Sequence, residues 1–471
     1  MLKNKVLLLL VVYLAPFVLF AQTAPYDMVS QMGRGINLGN VLSAPIEGNW
    51  AAAAEEQYFI DVAAAGFTNV RIPIDFFGTR TTGDTSGYSS TAGTAGAYTG
   101  TSADYVVSSV YLDRIQQVID WSLNQGLVTI IDLHGSTLKS EFIYTFDSGE
   151  SEYTHPTSAK RAADNEKFRA IWSQVANRFK DYSYNLLFEI VNEPYFRMSD
   201  VEMNILNTDV INIIRSSGSN NVDRNIVITG GGANSWQAPL QISSTILNSD
   251  AHLIPTFHYY RPFNFTNSSS QQHTDNDWGS VSDKATVDSE FDQVQTWAQN
   301  NNVPVFLGEF AADNEGGYNY FTQTYGDYEG PDNTSRVLYH EYIAEAAISR
   351  GFSFTAWDAG DRANKTIYKV TDRSWVEDVR NALLGSTLSS DIFGETSNSL
   401  QVYPNPVKNR LNIKSSKPIS CIEVYDFNGK YLLKFNNSDI IDISNLDSGV
   451  FLLRVVYKDE IPSIFQKIIK T

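Results

Sequence analysis

The chain has 471 residues, too many for one small core and suited to one large domain with a smaller one; at 42% hydrophobic and 19% charged its composition is globular. A formal net charge of −18 works against binding nucleic acid, anionic membranes and heavily sulfated or uronate-rich polymers, and leaves a neutral polymer as the natural partner. Cys421 is the only cysteine, which excludes an intramolecular disulfide and a cysteine-based metal cluster. The excess of acid lies in residues 23–400, because 401–471 hold ten Lys/Arg against seven Asp/Glu and the leader adds two lysines. A solvated acidic surface kept for solubility accounts for the charge equally well. The 25 Tyr, 26 Phe and 8 Trp suit stacking on sugar rings, and also suit an ordinary aromatic core.

In chain order, residues 1–22 set Lys3 and Lys5 before an apolar run from Val6 to Phe20 and then Ala21-Gln22. This is the pattern of a signal peptide cleaved near Ala21. The run is short and interrupted by Pro16, which argues against a permanent anchor. From Gly33 to about Gly385, strand-like runs alternate with helical stretches. Strands are predicted at Gly33–Gly39, Thr68–Ile74, Leu127–His134, Leu186–Asn192, Asn225–Gly230, Leu253–Tyr260, Val303–Glu309 and Phe352–Trp357. Helices are predicted around Ala51–Ala65, Leu112–Gln125, Asn165–Lys180, Val201–Arg215, Ser289–Asn300, Val337–Arg350 and Trp375–Leu384; the connection between the runs at 225 and 253 is the least clear. Eight strand–helix repeats predict an α/β fold, a (β/α)8 TIM barrel. A doubly wound open sheet is the alternative, but no glycine-rich phosphate loop opens any of these helices. Residues 79–104, rich in Thr, Gly, Ser, Ala and Tyr, read as a long mobile surface loop, with Tyr88, Tyr98 and Tyr105 in reach of a substrate. Residues 386–400 read as a linker. Beyond it the period falls to two, with Asn428-Gly429 and Ser448-Gly449 turns, which predicts a small all-β sandwich over 401–471.

Two glutamates carry the chemistry. Glu193 follows the apolar run 186–191, and Glu309 ends the run 303–309. Carboxylates at the C-terminal ends of different barrel strands sit where such barrels build their sites and can face one another across a glycosidic bond. Around them stand Arg71 in Asn69-Val70-Arg71-Ile72-Pro73, His134 in Asp132-Leu133-His134-Gly135, His258-Tyr259-Tyr260 and Trp357. In this order, each at the end of its strand, residues 30–385 resemble the catalytic domain of glycoside hydrolase family 5, taken here to span 23–385. The resemblance implies Glu193 as the acid/base and Glu309 as the nucleophile of a retaining hydrolase, with no metal and no cofactor. It further implies that Arg71 and the Tyr260 hydroxyl hold Glu309 ionised and that Asn192 bonds the sugar 2-hydroxyl. His134 and His258 would bond sugar hydroxyls or the nucleophile's surroundings, and Trp357 would form the floor under the sugar. An acid working near neutral pH is expected to have its pKa raised by desolvation or by the neighbouring carboxylate. Bland roles stand beside these: a buried ion pair for Arg71, satisfied barrel-mouth histidines, a barrel plug for Trp357. Glu189 is expected to pair structurally within the barrel. Trp50 and Trp236, after strands one and five, are candidate sugar platforms, and Asn37 and His340 are weaker candidates. The sequence departs from the family where Gly135 follows His134, where Phe76 replaces Trp, and where residues 267–273 carry no tryptophan; these bear on substrate choice.

The tail is identified by Tyr403-Pro404-Asn405-Pro406, by Val424-Tyr425-Asp426-Phe427-Asn428-Gly429-Lys430, and by Leu446 to Val455. It resembles the type A C-terminal sorting domain of the type IX secretion system, which implies export to the outside or the cell surface through the outer-membrane secretion machinery. A carbohydrate-binding module is the alternative. The expectation is a secreted, monomeric endo-β-glycanase acting on a neutral β-linked polysaccharide and not on nucleic acid, foremost an endo-β-1,4-glucanase. β-1,3-1,4-Glucanase, β-mannanase and xyloglucanase are close rivals; a catalytically silent glycan-binding or adhesive surface protein is the rival from another class.

Overall fold

A computed structural model describes residues 23–385 and 400–470, apart from 144–148, 150–152, 195–196, 234, 269–275, 320–321 and 327–329 in the first stretch and 406, 416–417, 427–429, 437 and 459–463 in the second. The expected signal peptide and nearly all of the expected linker lie outside the described residues. The chain divides at Gly385 into two units.

In the first unit every predicted strand forms: β1 Arg34–Asn37, β2 Asn69–Ile74, β3 Val128–Leu133, β4 Leu186–Glu189, β5 Ile226–Ile228, β6 Leu253–Tyr259, β7 Phe306–Phe310 and β8 Ser353–Ala356. They close into one parallel barrel. From β2 to β8 every residue is buried, because each strand has side chains filling the barrel on one face and helices covering the other. The helices expected between them stand at Glu56–Ala65, Ser109–Asn124, Ala159–Phe179, Asp200–Ser216, Val281–Asn301, Asn333–Ser349 and Glu377–Leu384. Among its described residues the unclear connection after β5 holds two 3-10 turns and a six-residue α-helix, Ser244–Ser249, too short to give a helical period.

The first helix was not legible in the sequence. Helix Pro25–Met32 buries Met28, Val29 and Met32 against Val128, Ile130, Leu187, Val227, Ile254 and Phe306. It closes the N-terminal end of the barrel; each such side chain contributes roughly 1.5–3 kcal/mol by burial. The site is left to the opposite end, where the strands finish.

Segment 79–104 is exposed over much of its length, as expected of a surface loop, yet it is fastened. Ala95 N–H donates to Thr157 O, and the carbonyls of Ser89 and Ser90 accept from Lys160 and His155. Its tyrosines face one another, with Tyr88 edge-on to Tyr98 and the Tyr98 hydroxyl donating to that of Tyr105 at 3.2 Å. Tyr105 is buried, so the expected substrate contact from it is corrected to a packing role.

The second unit has a three-stranded antiparallel sheet built on Leu400–Tyr403, Arg410–Ser415 and Ile440–Asp442, and a four-stranded one built on Ile419–Asp426, Tyr431–Asn436, Gly449–Tyr457 and Ile464–Lys470. Leu411 and Ile413 of the first share a core with Ile422, Val424, Leu453 and Val455 of the second. This is the predicted sandwich. Cys421 is buried in it.

Candidate active site

The barrel register brings the polar residues together. Asn37 pairs with Arg71, and Arg71 with Ile130; Asp132 pairs with Glu189. A bulge between Phe257 and His258 sets His258 beside Glu309, a common device for re-aiming a side chain next to an active site.

Arg71 is the hub and is fully buried. Its Nε donates to Glu189 at 2.7 Å and its Nη1 to Glu309 Oε1 at 2.7 Å. Nη2 donates to Glu189 at 2.9 Å and Asn192 at 2.9 Å, and lies 2.8 Å from Asp132. One cation thus serves three buried carboxylates. Burial pushes Asp132 up to about 6 despite Arg71, and burial likewise raises Glu189. Arg71 is burdened by its own burial, but the charges of Asp132, Glu189 and Glu309 outweigh it and keep the guanidinium protonated. Glu189 has the structural pairing the sequence suggested. Arg71 therefore fills both roles considered for it, buried ion-pair partner and cation at Glu309.

The two glutamates meet at the mouth. The Tyr260 hydroxyl donates to Glu309 Oε2 at 2.8 Å, so a cation and a phenol converge on that carboxylate. Strand β4 stops at Glu189, short of the predicted Asn192, and the chain then turns: Asn192 N–H donates to Leu133 O and Glu193 adopts φ 45°. A glutamate in that left-handed region costs roughly 1 kcal/mol or more and swings its carboxylate inward. Glu193 Oε1 lies 3.0 Å from His258 Nδ1 and Oε2 lies 3.3 Å from Lys139 Nζ. One donor atom each from Glu193, His258 and Glu309 lie within 4.8 Å of one another. Cations of the chain itself match this donor set, which fits proton transfer and not a metal centre.

The electrostatics correct one expectation. Burial works to raise Glu193, but the hydrogen bond to His258 and the charges of Lys139 and His258 outweigh it and hold the carboxyl well below its usual range. His258 is raised: its burial opposes the charge, while Glu309 and the bond to Glu193 favour it. Both shifts favour an imidazolium at His258 beside a carboxylate at Glu193. The sequence reading missed this because it weighed desolvation and the second carboxylate without the cations around them.

His134 is pushed down to about 3, chiefly by burial, and stays neutral. It lies 3.3 Å from Asp132 and stacks on Trp357 with ring centroids 5.5 Å apart. Trp357 fits because Gly39 lies against it: a Cβ there would meet the Asp358 carbonyl at 2.4 Å and the indole at 3.0 Å.

A cleft of about 970 Å³ opens over these groups, with His134, Glu193, His258, Glu309 and Trp357 in its wall, and extends past Phe263 and Lys365. Four candidates are corrected. Trp236 is 6% exposed and belongs to the core, which leaves no open ring face for a sugar. Asn37 is fully buried and braces Arg71, accepting from Nη1 at 3.0 Å while donating to the Gly308 carbonyl. His340 is buried against the Arg336 carbonyl, away from the mouth. Trp50 is 39% exposed and does not line this cleft.

Three residues were missed. Asp132 lies in β3 two positions before His134, which follows the strand, so the two-residue period would have found it. Phe263, 58% exposed in the cleft wall, and Lys139 sit in connections, where no period marks them.

Known proteins resemble this chain in sequence and fold. The chain is 36% identical over 363 residues to Endoglucanase H of Acetivibrio thermocellus, an alignment covering 76% of this chain and 33% of that one; it spans about a third of the first such relatives. Among solved structures, a hyperthermophilic endo-β-1,4-glucanase in complex with substrate is 28% identical with a TM-score of 0.59, over 77% of this chain and all of that one. Cel5A of Thermotoga maritima in complex with mannotriose is 25% identical with a TM-score of 0.61, over 76% and 99%. The secretion system C-terminal sorting domain matches residues 401–471, which marks the chain for secretion or the cell surface. No helix among the described residues is long and apolar enough to cross a membrane. The cellulase model, glycosyl hydrolase family 5, matches residues 30–363, and the chain belongs to that family.

Proposed function

We propose that the protein is a secreted retaining endo-β-1,4-glucanase, with Glu309 as nucleophile and Glu193 as acid/base. The observation that carries this is the approach of the two carboxylates: an oxygen of each within 4.8 Å suits the spacing of about 5–5.5 Å for direct attack better than the roughly 6.5–9.5 Å of an inverting enzyme. A Glu309 oxygen attacks the anomeric carbon while Glu193, protonated, gives its proton to the departing glycosidic oxygen. Water then attacks the glycosyl ester as the Glu193 carboxylate takes its proton, and Glu309 is released. His258, hydrogen-bonded to Glu193, supplies the direct route by which the resting proton reaches the acid. Asn192, oriented by Arg71, bonds the sugar, and Trp357 floors the cleft. The sorting domain would deliver the enzyme through the outer-membrane secretion machinery to a neutral β-glucan.

Reducing-end release from carboxymethyl-cellulose, mixed-linkage glucan, mannan and xyloglucan tests the reading, with Glu193→Ala and Glu309→Ala as controls. Mannan belongs in the panel because Thermotoga maritima Cel5A has been solved with both mannotriose and cellobiose. Cleavage of a glucan that both substitutions abolish is the expected outcome; binding without cleavage of any polymer would make the protein a glycan-binding surface protein. Glu193→Ala should lose about 10²–10⁴-fold on natural substrate. On dinitrophenyl cellobioside, azide should restore its turnover and yield β-cellobiosyl azide; α-azide or no rescue argues against the acid/base assignment.

A further inference from the structure

We infer that Lys139 is a positioning residue that controls the protonation of Glu193 and thereby sets the alkaline limit of hydrolysis. The inference rests on the acid/base reading of Glu193. Lys139 opens the turn Lys139–Ile143, directly after the short helix Ser136–Leu138, and the fold fixes that turn firmly. Gly135, at φ 123°, lies where a Cβ would stand 2.2 Å from an Asp75 carboxylate oxygen. Asp75, buried, accepts the N–H groups of Phe77 at 3.0 Å, Thr137 at 3.1 Å and Leu138 at 3.3 Å. Leu138, Phe142 and Ile143 are buried beside it. The ammonium is thereby delivered to Glu193 Oε2 at 3.3 Å, with the two side chains 20% and 19% exposed.

Fully exposed, such a pair would matter little. This one is four-fifths buried, where screening is weaker and the charge acts more strongly. The other groups facing the Glu193 carboxyl are His258 and Tyr260 from and just after β6, Asp132 and His134 from and just after β3, and Glu309 from β7. His258 bonds Oε1 and Lys139 stands on Oε2. The ammonium therefore favours the carboxylate that acts as base in the second step, and withholds the proton needed in the first. Burial alone would raise this carboxyl; with Lys139 and His258 in place it is lowered.

The test is the pH profile of kcat/KM on cellohexaose for the unaltered protein, Lys139→Gln and Lys139→Arg. Losing the charge should move the alkaline limb of Lys139→Gln upward by about one pH unit, in keeping with the usual effect of an opposite charge at this range. Lys139→Arg keeps the charge and should leave the limb in place. On dinitrophenyl cellobioside, whose leaving group needs no proton, bond cleavage should show the same pH dependence in all three proteins. An unmoved limb in Lys139→Gln, whatever its rate, overturns the inference, and so does a limb that moves in Lys139→Arg. Full cellohexaose activity in Glu193→Ala would instead overturn the reading beneath it, so the two failures are told apart.

Discussion

Glu309→Gln is expected to lose hydrolysis by at least about 10⁴-fold, the scale on which removal of a nucleophile acts, while remaining folded and able to bind glycan. The substitution conserves shape in a site that is 4% exposed. The amide oxygen can still accept from Arg71 Nη1 or from the Tyr260 hydroxyl, which hold the carboxylate at 2.7 and 2.8 Å. Arg71 keeps two other carboxylates, Asp132 and Glu189, so no cation is left unpaired in the barrel. What disappears is the oxygen nucleophile. A slow-releasing 2-deoxy-2-fluoro cellobioside should add one glycosyl mass to the unaltered protein, on the peptide that contains Glu309, and none to the variant. Hydrolysis near the unaltered level, or a label on another peptide, would remove Glu309 from this role.

Much of this site was legible in the sequence because it is written at the ends of buried strands. Apolar runs of five to eight residues fixed the positions of β2, β3, β6 and β7 to within one to three residues, and the polar residue closing each run then had to emerge at the barrel mouth. Glu309 and Tyr260 came out where that logic put them, and Trp357 follows the end of β8 in the same way, whereas Arg71, the third residue of β2, lies buried inside the barrel. The failures share a cause. Trp236 and Lys139 lie in connections whose path is set by tertiary contacts, such as the Asp75 carboxylate gathering three N–H groups; no local period encodes whether such a residue ends in the core or in the cleft. Asn37 shows a different limit. Its strand position was read correctly, but a polar side chain within a barrel strand can serve substrate or framework, and the choice depends on Arg71 arriving from the next strand. The lowered pKa of Glu193 was missed for a related reason, since the fold alone brings His258 and Lys139 to its carboxylate.

Arg71→Met should be the most damaging single change to the fold among the site residues. Arg71 is fully buried, and removing it leaves Asp132, Glu189 and Glu309 facing one another without their shared cation. Removing one partner of a buried ionic network costs about 3–5 kcal/mol, a large part of a domain's net stability. Activity should fall as well, since Asn192 and Glu309 lose the group that orients them. The loss should depend on pH in a defined direction. Asp132 already has its folded pKa raised to about 6 from an ordinary 3.8, so its ionisation opposes folding: the stability it gives is full below about 3.8 and is lost as pH rises through about 6. Without Arg71, which lowers Asp132 and Glu189 against the effect of burial, both carboxyls rise further. The variant's deficit should therefore be smallest near pH 4, where protonation neutralises them, and largest above about pH 7. Urea unfolding of both proteins at about pH 4 and about pH 7.5 measures it. Equal deficits at the two values would show that Arg71 acts through packing and hydrogen bonds, and would overturn its role as the cation that lets three buried carboxylates share one barrel mouth.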